Sequence, residues 1–201
     1  MGFRVGVLIS GEGGNLQAIL DTVHGRDGIE VVCVGSSRPD ARGLERARRA
    51  GVDTAVHARF SYADRDARDA ALADWLEDHS VDLVVLAGFM EVLGAAFIGR
   101  FRGRIVNVHP SLLPAFPGLR AIEQAIEYGV RVMGVTVHFV DEGVDSGPVI
   151  LQESFEPASV ETIERQVHEI EHRLLPRAVR LIAAGAVSVD PTRPRSVRIS
   201  E

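Results

Sequence analysis

The sequence predicts an α/β fold in which one mostly parallel sheet lies between layers of helices. Three observations point there. Near-continuous apolar, β-branched runs recur at 3–10, 29–35, 82–88 and 103–109, the pattern of strands buried on both faces. Stretches of helical period separate them. No internal repeat, low-complexity block or linker interrupts the 201 residues, so one domain is expected over 1–190, with a loosely held arginine- and proline-rich tail over 191–201.

Taken in order, Phe3 to Ser10 is the first strand. Gly11-Glu12-Gly13-Gly14-Asn15 breaks it and Leu16 begins a helix. Strand, glycine turn and helix N-terminus together make an anion-binding arrangement, although a tight turn without ligand fits these residues equally well. Leucine at 16 spoils the dinucleotide pattern G-x-G-x-x-G, and no G-K-[ST] follows. Ile29 to Gly35 is the second strand. Asp40 to Ala50 reads as a helix closed by Gly51, and Val52 to His57 as a short strand in which His57 is a surface or strand-end histidine rather than a catalyst. Asp64 to His79 is helical, with Arg65 in its first turn. Asp82 to Gly88 is the clearest buried strand. After the run ending at His109, Leu119 to Tyr128 forms a helix with Ile122, Ala125 and Ile126 inward. Val132–Val140 and Pro148–Phe155 flank a tight acidic turn, which predicts an antiparallel hairpin at one end of the sheet. Val160, Ile163, Val167, Ile170 and Leu174 mark a long amphipathic helix with Ser159 at its N-cap and a kink at Pro176. The whole is a Rossmann-like three-layer sandwich.

A net charge of −6 argues against nucleic acid as the main partner. Cys33, alone in the run Val31 to Val34, reads as a buried inert thiol. No charged start with a long apolar stretch appears, so no membrane partner and a cytoplasmic location are expected. The seven histidines are scattered, without H-E-x-x-H or C-x-x-C, so no metal is expected. Oligomeric state stays open between monomer and homodimer.

The candidate reaction centre is Asn107-Val108-His109-Pro110, where period two puts the amide and the imidazole on one strand face at its carboxyl end. Ser111 lies past a proline in no G-x-S-x-G turn, which disfavours a covalent acyl route. Direct attack of a bound nucleophile on a bound carbonyl remains. It needs a donor for the oxyanion and a proton carrier, which an amide and an imidazole supply. A carboxylate such as Asp145 would hold the imidazole's tautomer. On these residues alone, an N-x-H at a strand end is more often structural than catalytic.

Asn107-x-His109-Pro-Ser-Leu-Leu-Pro114, with Gly134 to Pro148 downstream, resembles the folate-dependent formyltransferase family. Ile9 to Ala18 and Val84 to Met90 are similar to the branch that formylates glycinamide ribonucleotide. The resemblance implies formyl transfer from the co-substrate 10-formyltetrahydrofolate to that amine, in purine synthesis. It implies Asn107 and His109 at the formyl oxygen, and Asp145 holding a charged His109. Gly13, Gly14 and Asn15 would cradle the substrate phosphate, with His168 and Glu171 facing the ribonucleotide. Arg65, Met90, Glu91, Val92, Leu93, Asn107, Asp141, Glu142, Gly143 and Val144 would line the folate pocket, Arg65 meeting the donor's anionic glutamate tail.

The chain departs from the family pattern at Glu12, where asparagine is common, at Gly14 for serine, at Leu119 to Ile122 and at His168. Glu12 places a negative charge beside the phosphate site. Two relatives in the fold, a formyltransferase acting on methionyl-tRNA and a formyl-folate hydrolase, carry added domains for which these 201 residues leave no room. A nucleotide-binding module without catalysis is the rival of another class, and it would not need His109 or Asp145.

Overall fold

The computed structural model describes residues 2–200. They form two compact units that divide between Val106 and Asn107, inside a strand rather than in a loop.

In the first unit, β1 (Phe3–Ile9) is central and pairs in parallel with β2 (Ile29–Ser36) on one side and β4 (Leu83–Leu86) on the other. β3 (Asp53–Val56) adds in parallel to β2, so the order is β3-β2-β1-β4, followed by the start of β5 (Ile105–His109). β4 is buried throughout, which is why its sequence shows no alternation. Helices α1 (Gly14–Thr22), α2 (Gly43–Arg49), α3 (Arg65–Asp78) and α4 (Ala95–Arg100) intervene. Asp64 caps α3, its carboxylate accepting from Ala67 N–H at 2.8 Å. α2 starts three residues later than its composition suggests. His57 stands at the end of β3, as one of the two expected placements has it, and is buried there: its Nδ1 lies 2.9 Å from Tyr62 Oη, and burial first, then Arg68, push its imidazole below the ordinary histidine value. Cys33 is fully buried. Burial first and Asp53 second raise its thiol pKa to about 12, against a smaller opposing effect of Arg4.

In the second unit the order is β5-β6-β7, with β6 (Met133–Phe139) and β7 (Val149–Phe155) antiparallel, the expected hairpin. α5 (Ala121–Tyr128) turns Ala121 and Ala125 inward and leaves Ile126 exposed, because its buried stripe is narrower than its apolar one. α6 (Val160–Ala183) buries Ile163, Val167, Ile170 and Leu174 as expected, while Val160 is exposed on its first turn. Ser159 occupies the capping position without a side-chain hydrogen bond to the helix, and α6 runs on through Pro176. Residues beyond Pro191 are tied back: β9 (Val197–Ile199) pairs with β8 (Val187–Val189), and Asp190 accepts from Arg198 Nη2 at 2.6 Å. A short hairpin closed by an ion pair thus stands where composition alone suggests a loose tail. Among the described residues, no helix is long and apolar enough to cross a membrane.

Candidate active site

At the end of β5, Asn107 and His109 leave the strand on one face, as period two requires. Asp145 reaches them from the turn between β6 and β7. Its Oδ2 lies 3.3 Å from His109 Nδ1, and its Oδ1 lies 3.5 Å from Asn107 Nδ2. The three residues singled out for chemistry are therefore brought together within one unit.

The surroundings decide how the groups are poised. His109 Nε2 is 2.8 Å from the carbonyl oxygen of Phe116, which can only accept, so Nε2 carries the hydrogen. Nδ1 is then the ring atom facing Asp145, and a proton added there meets a carboxylate. Gly118 N–H donates to Asp145 Oδ2 at 2.7 Å and fixes that oxygen. His138, on β6 and buried, contributes a fourth side chain that the sequence reading did not single out. Its Nδ1 donates to Phe139 O at 2.8 Å, and its Nε2 stands 3.6 Å from Asp145 Oδ1 and 3.4 Å from Asn107 Nδ2. A histidine inside an apolar strand looks like a satisfied core residue.

Burial alone would raise the Asp145 carboxyl, but His138, the Gly118 amide and the charge of His109 together outweigh it and bring its pKa down to about 2. A carboxylate held below its ordinary 3.8 favours the folded state above that value, and the contribution disappears as pH falls through about 2. About 2 kcal/mol of stability at neutral pH is expected from this group. In urea titrations the difference between wild type and Asp145→Asn should be full at pH 6 and largely gone at pH 2. An equal difference at both values would remove the coupling.

The loop that carries these contacts is fixed from below. Thr136 Oγ1 donates to Ser111 O at 2.7 Å and accepts from Leu113 N–H at 3.1 Å, while Gln152 Nε2 donates to Leu113 O at 2.9 Å. The Leu113–Pro114 peptide is cis. Phe116 and Asp145 both adopt left-handed φ, 53° and 48°. For a bulky residue such as Phe116 this conformation costs on the order of 1–3 kcal/mol and is held by surrounding bonds. Both left-handed residues touch His109.

On the same turn Asp141 Oδ1 accepts from Gly143 N–H and Ser146 Oγ, while Glu142, Gly143 and Val144 are exposed. On α6, Glu171 is buried, whereas His168 is exposed and stacks on His172 with centroids 6.2 Å apart.

The remaining candidates belong to the first unit. Gly13 precedes α1 with φ 76°, and a Cβ there would come within 2.7 Å of Gly43 Cα, so glycine is required. Gly14 and Asn15 open the helix. Glu12 is engaged: Arg42 Nη1 donates to its carboxylate at 3.2 Å and Arg46 Nε to its carbonyl at 2.8 Å. The negative charge beside the glycine turn is thus paired with the Arg42 guanidinium, while Arg46 holds the Glu12 carbonyl. Arg65 opens α3, half exposed, with Nε 3.6 Å from Asp66 Oδ1. In the loop after β4, Met90 and Val92 are exposed and Leu93 is buried. Glu91 bends its carboxylate to Arg68, so a ligand there would meet its backbone rather than its charge.

A formyl transferase family model matches residues 3–179. A phosphoribosylglycinamide formyltransferase of Haemophilus influenzae is 41% identical over 90% of this chain and 88% of its own length. A trifunctional purine biosynthetic protein of Drosophila melanogaster is 44% identical over 94% of this chain, which spans 14% of that relative's length. The crystal structure of glycinamide ribonucleotide transformylase 1 from Symbiobacterium toebii shares 51% identity, covering all of this chain and 95% of that one, with a TM-score of 0.92.

Proposed function

Since the chain belongs to the formyl transferase family, we propose that it is a phosphoribosylglycinamide formyltransferase acting in de novo purine biosynthesis. It moves the formyl group of 10-formyltetrahydrofolate to the amino group of glycinamide ribonucleotide. The convergence of Asn107, His109 and Asp145 is the observation that carries this reading, because it supplies an amide donor, an imidazole and a carboxylate within hydrogen-bonding reach.

In the proposed reaction the amine nitrogen attacks the formyl carbon and a C–N bond forms. The carbonyl π electrons move onto oxygen, giving a tetrahedral oxyanion with no covalent enzyme adduct. Asn107 and His109 stabilise that oxygen, and His109 acts as general acid through the Nε2 hydrogen, which passes from Phe116 O to the formyl oxygen when substrate is bound. Asp145 holds the imidazole in place and helps carry the amine proton away. Collapse restores the C=O bond and breaks the bond to N10 of the folate, which leaves with a proton. Gly13, Gly14 and Asn15 hold the substrate phosphate on backbone N–H groups, with Arg42 balancing Glu12. Glu171 and His168 face the ribonucleotide. Arg65, Met90 to Leu93, Asn107 and Asp141 to Val144 serve the folate, Arg65 meeting its glutamate tail.

The test is deformylation of the donor followed by absorbance, with and without glycinamide ribonucleotide. Turnover only with the ribonucleotide is expected. Turnover without it would make the protein a hydrolase, and silence in both would overturn the assignment. The same assay on folded His109→Ala should show transfer nearly abolished; turnover near wild type would remove His109 from the chemistry.

A further inference from the structure

Arg68 is the largest fully buried side chain among the described residues, with no exposed surface, on the face of α3 that also buries Leu72 and Leu76. Burying a guanidinium costs several kcal/mol unless its donors are matched, and here they are. Nε and Nη2 donate to Asp69 Oδ1 at 2.9 and 2.6 Å, Nη1 to Glu91 Oε2 at 2.8 Å, and Nη2 also to Val92 O at 3.2 Å. The other oxygen of Asp69 accepts Gly94 N–H at 2.7 Å.

Two of Arg68's partners lie in the irregular segment after β4, and the neighbouring bonds complete a pattern. Gly88 O accepts from Ser10 N–H at 3.0 Å, and Met90 N–H donates to Ser10 Oγ at 2.8 Å. Gly88, Met90, Glu91, Val92 and Gly94 are therefore each fastened, in a stretch with no strand or helix of its own. Above these fastenings Met90 and Val92 each leave 66% of their surface to solvent. Apolar side chains are held out while the backbone beneath them is pinned by buried polar groups. A pinned segment loses little freedom when a flat ligand lies on it, so its affinity is preorganised.

We propose that Arg68 is a positioning residue for the folate donor: without touching it, the buried guanidinium shapes the 88–94 loop on which the donor's ring system is held. This rests on the assignment of Met90 to Leu93 to the folate. Its chemical consequence is selective, since only donor binding depends on the loop, whereas the acceptor's phosphate is assigned elsewhere.

Calorimetric binding of 10-formylfolate, a stable oxidised form of the donor, and steady-state kinetics would be measured on wild type, Arg68→Met, Arg68→Lys, Glu91→Gln and the Arg68→Met/Glu91→Gln double variant. Folded Arg68→Met should weaken folate binding and raise the donor KM about tenfold, with acceptor KM and kcat within about twofold, the size expected from lost preorganisation. Arg68→Lys should recover part of the loss. Glu91→Gln should cost less, and should add nothing in the Arg68→Met background, because both act through one contact. Unchanged folate affinity in Arg68→Met, or additive losses in the double variant, would overturn the role. If Arg68→Met fails to fold, Glu91→Gln with unchanged folate affinity overturns it instead. Wild type that binds no folate would sink the functional assignment itself.

Discussion

Asp145→Asn should fold and lose transfer by about 10⁴, the size seen when the carboxylate behind a catalytic imidazole becomes an amide. The reasoning is local. An asparagine can keep its oxygen against Gly118 N–H, which preserves the turn, but its NH2 then faces Asn107 Nδ2 and His138 Nε2 in place of an acceptor. The negative charge opposite His109 Nδ1 is gone, so a proton on that nitrogen has nothing to hold it. The loss should fall on kcat, with both KM values little changed, since the carboxylate is assigned to proton movement rather than to binding. A circular-dichroism melt at pH 7 would confirm folding. A folded variant with kcat within tenfold of wild type would remove Asp145 from the proton path.

Asn107→Ala should lower kcat by about 10² to 10³, as for the loss of one oxyanion donor. Asn107 is only partly buried, the one position of β5 that is not buried, so truncation leaves the strand's packing intact and removes an amide without opening a core cavity. Because the same residue is also assigned to folate contact, the donor KM should rise, but by less than kcat falls. Single-turnover rates with saturating donor separate the two effects. Equal loss in donor affinity and none in the single-turnover rate would make Asn107 a binding residue alone.

Much of this architecture is legible in the chain because strands buried on both faces leave unbroken apolar runs, as β1 and β4 do. Helix edges are less legible. Ile126 and Val160 repeat at helical spacing yet lie exposed, since periodicity marks the direction of a stripe and not its width. Asn107 and His109 could be paired from their period-two spacing, and family resemblance added Asp145. His138 could not be found that way, because its importance arises only when a distant turn brings a carboxylate to its Nε2. Nor does any residue type announce the left-handed Phe116 and Asp145, which are not glycines. Nothing in the sequence marks Arg68 as a buried arginine. What buries it is a loop 23 residues later in the chain that returns a glutamate to it.

Cys33 has a practical consequence for spectroscopy. Its thiol lies in the interior of β2, protonated at any working pH, and is the chain's sole cysteine. Maleimides react with accessible thiolate, so the native protein is silent to them. A cysteine introduced on the surface at Val144 becomes the one reactive handle, without any background substitution in the sheet. A fluorophore or nitroxide attached there would report directly on the turn that carries Asp145.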